Sequence, residues 1–144
     1  ESVLLAGNTA FLGAGKRGNG IGRNGFATVA RARGYRVVEV ALADGVASLR
    51  SIAGAVSHDT VVLGADKLDV GAFEGFKTIL LERGESLAAG VLCLGEHHVL
   101  ADLRYRTSLS IMRKAGLVVE SIDLYEFAKI GVSPSMLALA LKRD

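Results

Sequence analysis

The chain has 144 residues, half of them apolar and 22% charged, which is enough for a buried core and too apolar for a disordered segment. Its 17 Lys and Arg against 15 Asp and Glu leave a net charge of +2, too small a bias to argue for nucleic acid or a membrane surface. The lone cysteine, Cys93, excludes an intrachain disulfide.

In chain order, residues 2–6 and 9–12 read as two strands joined at Gly7-Asn8. A glycine-rich loop over 13–22 follows. Helical spacing over 24–33 stops at Gly34, so a helix is expected over 22–33, with a valine-rich strand over 35–42 after it. The pattern recurs. Residues 48–55 and 60–63 read as strands around Ser57-His58-Asp59, 70–78 as a helix, and 78–82 as the start of the next strand. In the third cycle, strands over 87–94 and 98–101 flank Gly95-Glu96. A helix over 107–115 ends at Gly116, a strand covers 117–122, a helical turn covers 124–129, and an apolar strand over 135–141 closes the chain. The fold class is therefore α/β: one domain of three strand-strand-helix-strand units, roughly 1–45, 46–84 and 85–144. Each unit buries a face against its neighbour.

Residues 1–38 carry Lys16, Arg17, Arg23, Arg31, Arg33 and Arg36 against only Glu1, either an anion-binding patch or a solvated helix face. Cys93 lies in the run Val91-Leu92-Cys93-Leu94 and reads as a small buried hydrophobe. His58, His97 and His98 read as turn histidines, and no metal is expected. Gly13, Gly15 and Gly18 match the G-x-G-x-x-G dinucleotide fingerprint, with Glu39 placed as a ribose-binding acid. A hairpin before the loop and further glycines at 20, 22 and 25 argue against that reading, and no cofactor is expected. No apolar run reaches membrane-spanning length and no secretion signal is visible, so the cytoplasm is the default. The chain opens at Glu1 rather than Met, as a trimmed, processed or partial sequence would.

A second reading covers nearly the whole chain. Phe11 to Asn19 with Gly22, the strand Gly34 to Val40, Ser48-Leu49-Arg50-Ser51, Asp59 to Leu63, Ala88-Ala89-Gly90-Val91-Leu92, and Val118 to Lys129 resemble, in order and spacing, the second half of a dimethylarginine dimethylaminohydrolase. The resemblance implies the pentein α/β-propeller fold, five such units around a pseudo-fivefold axis, of which these would be the last three. It also implies hydrolysis of guanidines by a cysteine nucleophile and a histidine base. Here the histidine position is Ser48. The cysteine position falls on Pro134 or Ser135, or with a two-residue gap on Met136 or Leu137. None is a thiol, and Ser135 is the one candidate nucleophile. Arg17 matches the arginine that grips the substrate carboxylate, with Lys16 and Asn19 beside it as ligand-binding candidates. The asparagine of the family's Ala-Asn-Val-Leu run is Gly90. The resulting expectation is a catalytically silent subunit that binds a small anionic or guanidino ligand. It would pair with a second copy, or with a chain that supplies the missing units, through residues 2–12 or 135–141. The alternatives are part of an active hydrolase completed by another chain, and a dinucleotide-binding domain using Gly13 to Gly18.

Overall fold

The computed structural model describes residues 2–16 and 19–138. It contains three separate three-stranded sheets. The first comprises β1 (Val3–Ala6), β2 (Thr9–Ala14) and β3 (Arg36–Ala41), with α1 (Gly20–Ala32) between the last two. The second comprises β4 (Ala53–Ala55), β5 (Thr60–Leu63) and β6 (Lys77–Leu80). The third comprises β7 (Leu92–Gly95), β8 (His98–Asp102) and β9 (Val118–Ile122), with α2 (Arg106–Lys114) before β9 and α3 (Tyr125–Ala128) after it. In every sheet the first two strands are antiparallel and the third runs parallel to the second. No continuous parallel sheet exists among the described residues, and α1 starts at Gly20 rather than on the fingerprint glycines. Both facts remove the architecture that a dinucleotide fingerprint needs.

Strand alternation explains the core. Side chains along a strand point to opposite faces. In the middle sheet all four residues of β5 are buried, so both faces of that central strand lie in a core. Ala53, Ala55, Val61 and Leu63 join Phe11, Val40 and Leu49 in one cluster. Val56 and Val62 join Val99, Leu109 and Met112 in the other. The middle unit is thus the shared wall of two cores.

Several local expectations are corrected. The expected helix over 70–78 is only a 3-10 turn, Val70–Phe73. Gly75 takes φ 91° and Lys77 already enters β6, so no room remains for a full helix. Val70, Phe73 and Phe76 recur every third residue, which suits the 3-10 period. Phe73 stacks on Phe11 at 4.3 Å and Phe76 meets its edge at 5.3 Å. The expected strand over 48–55 divides into a 3-10 turn, Leu49–Ser51, and the short β4. Here the Ser51 amide and hydroxyl both bond the Ser48 carbonyl, at 3.2 and 2.7 Å. The strand over 87–94 likewise divides into Ser86–Ala89 and β7. The expected closing strand over 135–141 is replaced by the 3-10 turn Pro134–Met136; residues 139–141 lie outside the described residues. No described helix is long and apolar enough to cross a membrane.

Candidate functional site

The 3-10 turn before β4 and the turn Pro134–Met136 come together, although more than eighty residues separate them in sequence. Ser48, 2% exposed, has its hydroxyl 3.8 Å from the Met136 sulfur. The Ser133 and Ser135 hydroxyls both donate to the Arg50 carbonyl, at 3.0 and 2.8 Å, and lie 3.3 Å from each other. The Arg50 guanidinium returns a hydrogen bond to the Ser135 carbonyl. Gly90 closes the cluster: its carbonyl accepts from the Ser135 amide at 3.1 Å. A Cβ added to Gly90 would lie 2.3 Å from Ser133 Cβ and 2.8 Å from the Arg50 oxygen.

The groups brought together are alcohols, a thioether and a guanidinium. Ser135 gives its proton to a carbonyl, which does not remove it, and the alcohol has no base among its partners. A methionine thioether carries no proton and is a poor nucleophile. His58 and His97 are exposed in turns, and His98 sits 3.4 Å from Glu120 on the third sheet; none of the three joins the cluster. Cys93 is half-buried rather than buried, with its thiol directed to the Gly95 carbonyl at 3.0 Å. Among the described residues, no group of three or more His, Cys, Asp or Glu is placed to hold a metal.

The loops that follow β2 and β3 border a small pocket lined by Gly15, Lys16, Asp44 and Gly45. Lys16 pairs with Asp44 at 2.9 Å in open solvent. Asn19 caps α1 by accepting from the Gly22 amide at 2.6 Å. Arg17 lies outside the described residues. A larger cleft of about 670 Å³ runs beside the serine cluster, bordered by Ala47, Ser51, Lys67, Tyr105 and Lys129. Burial pushes the Tyr105 phenol above its ordinary range, so it stays a neutral hydroxyl. Sequence reasoning passed over Tyr105 and Lys129 because nothing in their spacing brings them to Ser51; only the stacking of the units does.

Three separate three-stranded sheets of one repeated topology, the second and third units meeting at the serine cluster, define a mixed α/β chain with a dimethylarginine dimethylaminohydrolase-like pentein fold. Solved structures with this fold superpose along almost the whole chain. The dimethylarginine dimethylaminohydrolase of Pseudomonas aeruginosa, as a citrulline complex, is 19% identical with TM-score 0.76, over 92% of this chain and 51% of that one. SxtG, an amidinotransferase of Microseira wollei, is 11% identical with TM-score 0.85, over 99% and 46%. The N-terminal domain of ArgZ, an arginine dihydrolase of Cyanobacteria, is 20% identical with TM-score 0.80, over 96% and 54%. The chain spans about half the length of these structures. No family model and no curated protein matches it.

Proposed function

We propose that the chain is a catalytically silent pentein-type subunit or half-domain with a binding or structural role, its units forming part of an α/β-propeller. The observation that carries this is the pairing of Ser48 with Met136. Two turns meet as a base and a nucleophile must, yet the groups present are an alcohol and a thioether. Ser133 and Ser135 are tied to the Arg50 carbonyl rather than aimed at a cleft. The cleft beside them, bordered by Lys67, Tyr105 and Lys129, is the candidate site for a small carboxylate or guanidino ligand: Tyr105 is a neutral donor, and the two ammonium groups are paired with Asp66 at 3.9 Å and Glu126 at 2.8 Å. Lys16 and Asn19, with Arg17 on the sequence resemblance alone, are the second set of binding candidates. Pairing would occur with a second copy or with a chain that supplies further units, in the cytoplasm.

The test is turnover. The purified chain, offered arginine, methylarginines or agmatine, should release no citrulline or other ureido product. Product formation that survives Cys93→Ala and disappears with Ser135→Ala would overturn the reading.

A further inference from the structure

The Ser48 hydroxyl is the worst-matched polar group of the serine cluster. Its residue is 2% exposed, and its one acceptor among the described residues is the Met136 sulfur at 3.8 Å. A thioether is a weak acceptor. The neighbouring Ser51, Ser133 and Ser135 hydroxyls instead donate to carbonyl oxygens, at 2.7, 3.0 and 2.8 Å. A buried hydroxyl with so poor a partner gives up stability that a stronger acceptor in the same place would restore.

The sulfur can become that acceptor. Of the chain's two methionines, Met112 is fully buried in the second core. Met136 is half-buried on the turn Pro134–Met136, so an oxidant the size of water reaches it. With hydrogen peroxide, a sulfur lone pair attacks one peroxide oxygen and an S–O bond forms as the O–O bond breaks. The departing oxygen takes the proton of the oxygen that stays and leaves as water. Sulfur is oxidised by two electrons, the peroxide is reduced by two, and the product is a sulfoxide. Its oxygen carries far more negative charge than the thioether did. The unbranched methionine side chain turns freely about its last bonds, which brings that oxygen into the gap between the sulfur and the Ser48 hydroxyl, within hydrogen-bond reach.

We propose that Met136 is an oxidation site for peroxide and that Ser48 holds its sulfoxide. Methionine oxidation ordinarily loosens packing. Here it has the opposite sign, because the sulfoxide ties the start of the turn Leu49–Ser51 to the turn Pro134–Met136, two elements already in contact. The base and nucleophile positions thereby gain a role as a peroxide-responsive contact. That role rests on the placement of Met136 against Ser48 and needs neither a ligand in the cleft nor a partner chain.

The test is made in a Cys93→Ala background, since the half-buried Cys93 thiol also reacts with peroxide. Peptide mass spectrometry should find one added oxygen on Met136 at least about 10-fold sooner than on Met112, which reacts only when the core opens. The protein modified at Met136 should melt about 3 °C above its untreated form, the shift expected of one hydrogen bond gained in a chain of this size. Methionine sulfoxide reductase should return both the mass and the melting temperature. The rise should vanish in Ser48→Ala. Met136→Leu, which forms no sulfoxide, should melt alike before and after treatment, and it keeps the test open should Ser48→Ala fail to fold. Oxidation of Met136 no faster than Met112, a melting temperature that stays or falls on oxidation, or a rise that persists in Ser48→Ala would overturn the proposal. Catalytic silence is read separately by the turnover assay, so either idea can fail alone.

Discussion

Replacing Gly90 by alanine tests whether the turn Pro134–Met136 is locked on the Arg50 carbonyl. The backbone at Gly90 has φ −75°, which any residue adopts, so conformation contributes no penalty. Loss of unfolded-chain entropy would by itself stabilise the variant by about 0.4–1 kcal/mol. Opposing this, the new methyl would sit 2.3 Å from both Ser133 Cβ and Oγ and 2.8 Å from the Arg50 oxygen. Ser133 can retreat only by giving up its 3.0 Å bond to that oxygen, and the Ser135 bonds shift with it. Overpacking of about 2 kcal/mol and one or two lost hydrogen bonds of about 1 kcal/mol each leave a net loss of about 3 kcal/mol. For a chain of this size that is a fall in Tm of about 6–12 °C by circular dichroism. In a Ser133→Gly background the same substitution should cost at least about 1 kcal/mol less, because two of the three close contacts are gone. A Gly90→Ala protein that melts within a degree of wild type would refute the packing described.

Three further outcomes are expected. Burial by itself would raise the Asp102 carboxyl, but hydrogen bonds from the Arg104 side chain and backbone, and its charge, outweigh burial and hold it below the usual carboxylate range. Its stabilisation is therefore present above the unfolded pKa and is lost as pH falls through the folded one. Asp102→Asn should cost about 2 kcal/mol at pH 7 in urea melts, the gap to wild type closing in strong acid; a gap independent of pH would contradict this. Glu85 accepts from the Ser108 amide at 2.8 Å and hydroxyl at 2.6 Å in the first turn of α2, so Glu85→Ala should lose about 1–2 kcal/mol of stability in the same assay. Phe73→Ala, which empties the stack on fully buried Phe11, should cost about 3–5 kcal/mol, and a loss under about 1 kcal/mol would show that the 3-10 turn is not a core element.

β3, β5, β9 and the two longer helices are legible in the sequence because valine-rich runs of strand length and the terminators Gly34 and Gly116 act locally. The middle helix was misread because Val70, Phe73 and Phe76 recur every three residues, close enough to a helical stripe to pass for one. The 3-10 turns at Leu49–Ser51 and Ser86–Ala89 pass for strand in the sequence because apolar composition does not record the bonds to the Ser48, Glu85 and Leu87 carbonyls that close them. Ser48 was found through the resemblance. Ser135 and Met136 could not be separated in sequence, since adjacent residues of one turn point in different directions. The structure places the Met136 sulfur, not the Ser135 hydroxyl, against Ser48.

That placement is what the account rests on, and one titration tests it. In a Cys93→Ala background, Ser48→His combined with Met136→Cys sets an imidazole beside a thiol, the shorter cysteine leaving space for the larger ring. The absorbance of the thiolate followed against pH should then show the new thiol at position 136 ionising well below the ordinary cysteine value of about 8.5. Ser48→His combined with Ser135→Cys should leave the thiol in its ordinary range or above. A depressed value at position 135 with an ordinary one at 136 would contradict the assignment of Ser48 and Met136 to the base and nucleophile positions.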